Sequence, residues 1–230
     1  MKEKENPKTT EEATYPMRIN KYLALKNIST RRGADELIEN KKVFINGKPA
    51  VLGSKVNKTD KVEVKGAKPT SYVYFAYNKP IGVETDSPKP GLFPLGRLDK
   101  ASHGLLILTN DGRITDGLLN PKFFHEKEYI VRTKEKLRSS FKKKMEAGVN
   151  IEGYVTKPCK VKIVSESVFK VILTEGKKHQ IRRMCSALFQ EIADLKRERI
   201  MNIKLGTLKD GGLREIKGEE LKTFLDQVLK

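Results

Sequence analysis

The stretch GRLDKASHGLLILTNDG, Gly96 to Gly112, decides how the rest of the chain is read. Leu105, Leu106, Ile107 and Leu108 form an apolar run of strand length ending at Thr109, and Asn110-Asp111-Gly112 is a turn signal. The run predicts a buried strand. Just ahead of it, Arg97, Asp99 and Lys100 place one acid between two bases in a segment opened by Gly96. An Asp in a loop ordinarily caps a turn, its carboxylate accepting backbone N–H bonds. That reading stands until other residues bear on it.

Charge sets the class of partner. Lys+Arg total 47 against Asp+Glu 29, a formal net charge of +18 and a pI of about 9.8. This exceeds what solubility needs and is typical of a polyanion binder, so nucleic acid is the leading partner. A membrane surface fits less well: no apolar run approaches the ~20 residues of a spanning helix, and no basic amphipathic helix with bulky aromatics stands out. The opening MKEKENPKTTEEATYP has no apolar signal core, which leads to the expectation of a cytoplasmic protein. Cys159 and Cys185 form no CxxC pair, and His103, His125 and His179 have no metal-ligand spacing. No metal site and no disulfide framework are expected, and both thiols read as small buried or half-buried apolar groups.

Residues 1–15 are polar and aperiodic and read as a disordered tail. Ile19, Tyr22, Leu23 and Leu25 fit a short helix; Ser29 or Thr30 can cap a second one carrying Ala34, Leu37 and Ile38. Gly33, ~1 kcal/mol worse than Ala in a helix, predicts a loose start. Arg31 and Arg32 fall in its first turn, where the macrodipole disfavours each cation by ~0.3–1 kcal/mol; either an external anion faces them or they are two solvated arginines. Val43-Phe44-Ile45 followed by Asn46-Gly47 is a hairpin signal of the type I′ kind, and Val62-Glu63-Val64 offers a further strand. Lys65 to Ser71, KGAKPTS, has linker composition. Beyond it, Tyr72 to Tyr77 is strand-like and Asn78-Lys79-Pro80 with Gly82 reads as a turn, its lysine a phosphate contact or a solvated loop residue. Lys136 to Met145 reads as a charge-rich helix, and Val161–Val164 and Val168–Leu173 as two strands. Ile181, Met184, Cys185 and Leu188 recur at helical spacing after Gly176. Lys196, Arg197 and Arg199 precede an alternating strand over Ile200 to Leu205, and GEELKTFLDQVL closes the chain as an amphipathic helix.

GRLD followed by GLLILTNDG resembles the defining motif of the pseudouridine synthases, specifically the RsuA-type enzymes that modify ribosomal RNA. In that family the Asp of GRLD is the catalytic carboxylate, which falls on Asp99. NKP-x-G at Asn78 to Gly82 is similar to another recurring piece. Tyr129 in KEY matches the family's Lys-x-Tyr element, whose aromatic ring packs against the target base; periodicity alone makes Tyr129 a strand core residue. HQIR resembles the motif whose arginine pairs with the catalytic Asp, which is Arg182 here, whereas His179 reads as a polar residue near the helix start. ERIMNIKLGTL resembles the large-subunit, RluF-like branch more than the small-subunit one. Met17 to about Gly66, with MRINKYLA, STRRGADELIENKKVFING and DKVEV, resembles the alpha-L RNA-binding domain first known from a small-subunit ribosomal protein, "S-four".

The resemblance implies an α+β protein: a disordered tail (1–15), an alpha-L module (16–66), a linker (67–72) and a pseudouridine synthase domain (73–230) built on a mostly antiparallel sheet with flanking helices. It implies cofactor-free isomerisation of uridine in ribosomal RNA, most simply of the large subunit, with Asp99 ionised and acting as nucleophile or as base. Tyr129 would stack on an extruded base and Arg182 would pair with Asp99. Lys21, Arg31, Arg32, Lys41, Lys42, Lys79 and Arg97 are the expected RNA contacts. The expected partner is ribosomal RNA or a precursor particle, with transfer RNA as a second candidate, no membrane, and a monomeric enzyme. A non-catalytic RNA-binding ribosome-assembly factor of the same fold and a small-subunit ribosomal RNA pseudouridine synthase are the rival readings.

Overall fold

The structure is a computed structural model and describes residues 14–26, 28–66 and 71–229. Most of the tail expected over 1–15, and positions 67–70 of the expected linker, lie outside the described residues. The chain forms two compact units: residues up to 72 with 111–113, and residues 73–110 with 114–229.

The first unit is β1 (Met17–Arg18), α1 (Ile19–Leu25), α2 (Arg31–Glu39), β2 (Val43–Ile45), β3 (Lys48–Pro49), β4 (Lys55–Val56) and β5 (Val62–Val64). Ile19, Leu23, Ala34, Ile38, Val43, Ala50 and Val56 form its core. The two helices thus turn their i, i+4 apolar pairs toward the small sheet β3-β2-β5. Asn46 and Gly47, with φ of 51° and 79°, form the hairpin turn between β2 and β3. The start of α2 is firmer than Gly33 alone predicts. Thr30 is the N-cap, its Oγ1 accepting from the Gly33 amide at 3.0 Å, and a Cβ at Gly33 would lie 2.6 Å from Ser29 Oγ. The glycine makes room for the capping hydroxyls, so its low propensity is offset by the cap. Lys41, at φ 54°, closes the other end: its amide and that of Lys42 donate to Ile38 O and Leu37 O, a Schellman arrangement.

The second unit contains β6 (Tyr74–Lys79), β7 (Phe93–Leu95), β8 (His103–Thr109), α3 (Ile114–Leu119), a 3-10 turn (Pro121–Phe123), β9 (Lys127–Thr133), α4 (Phe141–Glu146), β10 (Asn150–Ile151), β11 (Tyr154–Val155), β12 (Lys160–Ser165), β13 (Val168–Leu173), α5 (Gln180–Ala187), β14 (Ile192–Ile200), β15 (Ile203–Lys204), β16 (Leu213–Glu215) and α6 (Gly218–Val228). One mixed sheet runs β12-β13-β9-β14-β8-β6-β16, with β15 on β14 and β7 on β8. Every pairing in it is antiparallel except β14 with β8. The fold is α+β, as expected.

The apolar run of β8 is sealed on both faces: Leu105, Leu106, Ile107 and Leu108 are wholly buried. Leu106 and Leu108 join the large core with Tyr129, Val131, Phe169 and Met184. At its start, Gly104 sits against β14, where a Cβ would come within 2.4 Å of Arg197 O. Close approach there admits only glycine.

Three expected boundaries are corrected. Asn78 and Lys79 are not turn residues but the last two of β6, buried and paired with Leu105 and Gly104. The helix expected over 136–145 is only the six residues of α4, because the Leu137 amide is taken by Glu166 O at 2.7 Å. Lys196, Arg197 and Arg199 lie inside β14, and 200–205 is a tight hairpin turning at Met201, φ 52°. The alternation of this segment is real, but its strand begins eight residues earlier, at Ile192. Among the described residues no helix is long and apolar enough to cross a membrane.

Candidate active site

Asp99 sits in the loop between β7 and β8, where nothing regular fixes it, so its place depends on contacts from outside the loop. Thr85 supplies two: its hydroxyl accepts from the Leu98 amide at 3.0 Å and donates to the Leu98 carbonyl at 2.5 Å. The Gly82 amide donates to Lys100 O at 2.8 Å, and the Ser102 amide closes the turn on Asp99 O at 3.0 Å. On the apolar side, Leu98 is buried in the large core.

Arg182, the third residue of α5, reaches this loop with the Nε–Nη2 edge of its guanidinium. Nε lies 3.2 Å from Asp99 Oδ2 and Nη2 3.5 Å from Oδ1, while Nη2 also donates to Ala101 O at 3.0 Å and Ser102 Oγ at 2.9 Å. A cation in a helix's first turn is unfavourable unless a carboxylate faces it, and here one does. Burial pushes the Asp99 carboxyl up. The Ser102 hydroxyl, the Arg182 hydrogen bonds and charge, and the His179 charge outweigh it, leaving Asp99 below the usual carboxylate range and ionised at neutral pH. His179 is exposed, at φ 51° in the N-cap position of α5, and makes no capping bond with its side chain.

Tyr129 lies on β9 between Val171 of β13 and Arg197 of β14, 9% exposed. It shares the core cluster with Leu98, the residue before Asp99, and with Ile181, the residue before Arg182. Thus one apolar cluster underlies all three side chains that the sequence singled out. Arg197, 3% exposed, brings its guanidinium carbon to 6.0 Å from the Tyr129 ring centre and donates from Nε to Leu105 O at 2.7 Å. Burial and the Arg197 charge lower Lys127, two residues away on the same strand, to about 8.

The expected RNA contacts fall into three groups. Lys21, Arg31, Arg32, Lys41 and Lys42 are exposed on the first unit, none in an ion pair among the described residues. Arg97 is exposed two residues before Asp99. Lys79 is a correction: it is wholly buried, its Nζ donating to Pro80 O at 2.9 Å and Val83 O at 2.6 Å, so it is neither a solvated lysine nor a surface phosphate contact. Burial lowers its pKa against the pull of Asp99 and Glu84. Thr85 and Ser102 carried no sequence signal, since isolated hydroxyl residues in loops are common and only the tertiary contact gives them a role. The thiols are inert: burial pushes Cys159 to about 11 and Cys185 to about 12.

The site thus joins an ionised carboxylate in a loop braced by an arginine to a buried aromatic of the same apolar cluster on a mixed sheet. The profile of the RNA pseudouridylate synthases matches residues 55–187 and that of the S4 domain residues 17–62. The chain belongs to the RNA pseudouridylate synthase family and carries an S4 domain at its N-terminal end. It is 39% identical over 223 residues to the dual-specificity RNA pseudouridine synthase RluF of Escherichia coli strain K12, covering 89% of this chain and 77% of that protein. It is 35% identical over 229 residues to the ribosomal large subunit pseudouridine synthase B of Bacillus subtilis strain 168, covering 89% of this chain and 94% of that one. A crystal structure of a pseudouridylate synthase superposes with a TM-score of 0.67 at 27% identity, covering 92% of this chain and 99% of the other.

Proposed function

We propose that the protein isomerises uridine to pseudouridine in ribosomal RNA of the large subunit, with Asp99 as the catalytic carboxylate, Arg182 as the residue that keeps it ionised and aimed, and Tyr129 as the ring that meets the extruded base. The single observation that carries this reading is the fork of Arg182 on Asp99 and its loop. The reaction breaks the glycosidic bond of a uridine, turns the uracil, and joins its carbon to the same ribose. An ionised carboxylate serves either as nucleophile or as base in that sequence. The large-subunit assignment is supported by the ERIMNIKLGTL segment and by the likeness to the ribosomal large subunit pseudouridine synthase B of Bacillus subtilis. Lys21, Arg31, Arg32, Lys41 and Lys42 of the S4 domain, with Arg97 near the catalytic loop, hold RNA phosphates in this reading. The working division is an RNA-binding module over 16–66, a linker over 67–72 and a catalytic domain from 73, acting in the cytoplasm as a monomer. Mapping pseudouridine in large-subunit RNA treated with wild-type protein and with Asp99→Asn tests the proposal. Modification by the wild type alone is expected; comparable turnover by the variant overturns the role of Asp99.

A further inference from the structure

Two aromatic rings at opposite ends of α5 are more exposed than any others among the described residues: Phe124 at 59% and Phe189 at 74%. Both take the left-handed backbone conformation, φ 55° and 58°, which a bulky residue adopts at a cost that glycine would avoid. Each carries a cation over its face: Lys157 Nζ lies 4.0 Å from the Phe124 ring centre and the Arg138 guanidinium carbon 5.0 Å from that of Phe189. Phe189 directly follows the C-cap of α5. Phe124 is tied to the other end through Lys157, whose amide donates to Glu175 Oε1 at 3.0 Å, the atom that also accepts from Gln180 Nε2, the first residue of α5, at 2.8 Å. The helix between them carries Arg182, and hence the link to Asp99.

We propose that Phe124 with Lys157, and Phe189 with Arg138, are two stacking platforms for unpaired nucleotides of the substrate RNA on either side of the reacting one. This deepens the proposed function and rests on its reading of RNA as the substrate. A water-exposed aromatic face is a loss for the isolated protein, recovered when a flat ring covers it, whereas the left-handed φ of Phe189 belongs to the Schellman close of α5, its amide donating to Ser186 O and that of Gln190 to Cys185 O. The cation now over each ring face yields that face to the incoming base and meets the phosphate that accompanies it. A duplex, its bases already stacked, offers no such ring, and a polyanion without bases offers only charge. The platforms therefore select single-stranded RNA, the form in which bases flanking an extruded uridine are free.

The chain contains no tryptophan, so Phe124→Trp and Phe189→Trp each create a single fluorescent reporter. Titration with a single-stranded oligouridylate is expected to quench both, whereas heparin and duplex RNA of equal charge leave the emission unchanged; equal responses to heparin would reduce the sites to charge alone and overturn the proposal. Phe124→Gly and Phe189→Gly relieve the backbone strain, so these variants are expected to melt no lower than wild type. Each should nevertheless bind the oligouridylate about tenfold more weakly, with an unchanged salt slope, the loss of one stacked base. Unchanged affinity in the glycine variants overturns the inference, whatever their turnover. Because binding is read without catalysis, a wild type that forms no pseudouridine would strike the proposed function and leave the stacking result standing.

Discussion

Arg182 approaches Asp99 edge-on with Nε at 3.2 Å while its Nη2 is shared among Oδ1 of the same carboxylate, Ala101 O and Ser102 Oγ. One guanidinium therefore fixes both the charge of the carboxylate and the turn that presents it. Lysine, a point charge, can satisfy the first and not the second.

Arg182→Ala removes this brace and leaves the one-fifth-exposed carboxylate with Ser102 and the His179 charge alone. Activity is expected to collapse and stability at pH 7 to fall by ~1–3 kcal/mol. Because the folded Asp99 pKa is depressed, its stabilising contribution is present above the unfolded value of ~3.9 and disappears as pH falls through the folded pKa. The gap between the two proteins should accordingly narrow in strong acid to what the Arg182 bonds to Ala101 O and Ser102 Oγ contribute. Arg182→Lys is expected to give an intermediate single-turnover rate. A wild-type rate in the alanine variant, with the Asp99 pKa unmoved by NMR, would show that the fork does nothing for catalysis.

Lys79 is expected to behave as a structural anchor. Lys79→Met keeps the volume but frees the Pro80 and Val83 carbonyls. Urea unfolding should show a loss of ~1–3 kcal/mol at neutral pH, the cost of buried acceptors left bare less the relief of burying a charge. RNA affinity should keep its wild-type salt slope, whereas a phosphate contact would flatten it by about 0.7–0.9 per charge removed.

Lys127 has the opposite sign. Its folded pKa of about 8 lies below the unfolded value near ~10.4, so the folded protein holds fewer protons and stability rises with pH from about 8 to about 10.4. Lys127→Met is expected to stabilise the free enzyme at pH 7 by ~1–3 kcal/mol, an advantage that shrinks above pH 8. A pH series of denaturant melts on both proteins checks this; a methionine variant less stable than wild type at pH 7 would contradict the burial cost.

Arg31 and Arg32 open α2 with no acid in its first turn and no ion pair among the described residues, so an anion is the expected third party. The double change to alanine should leave the fold intact and lower the salt slope of RNA binding by roughly 1.4–1.8. An unchanged slope would leave both arginines as solvated surface groups.

What the sequence alone determined is the local chemistry. The apolar run from Leu105 to Leu108 marks a buried strand, Asn46-Gly47 a tight turn, and Ser29-Thr30 the start of a helix, with Thr30 taking the cap in the fold. These features depend on contacts within a few residues, which spacing encodes. Motif likeness added Asp99 and Arg182 as partners. The tertiary structure decided the rest. Asn78-Lys79-Pro80-Gly82 has turn composition, yet β6 continues through Lys79 because its backbone pairs with Gly104 and carbonyls of the following loop hold its ammonium. Arg197 has the chemistry of a surface residue and is buried because Gly104 lets β14 press against β8. Thr85 looks like any loop hydroxyl until Leu98 comes within reach of it. Each of these depends on a partner between 13 and 93 residues away, a separation that only the folded sheet closes.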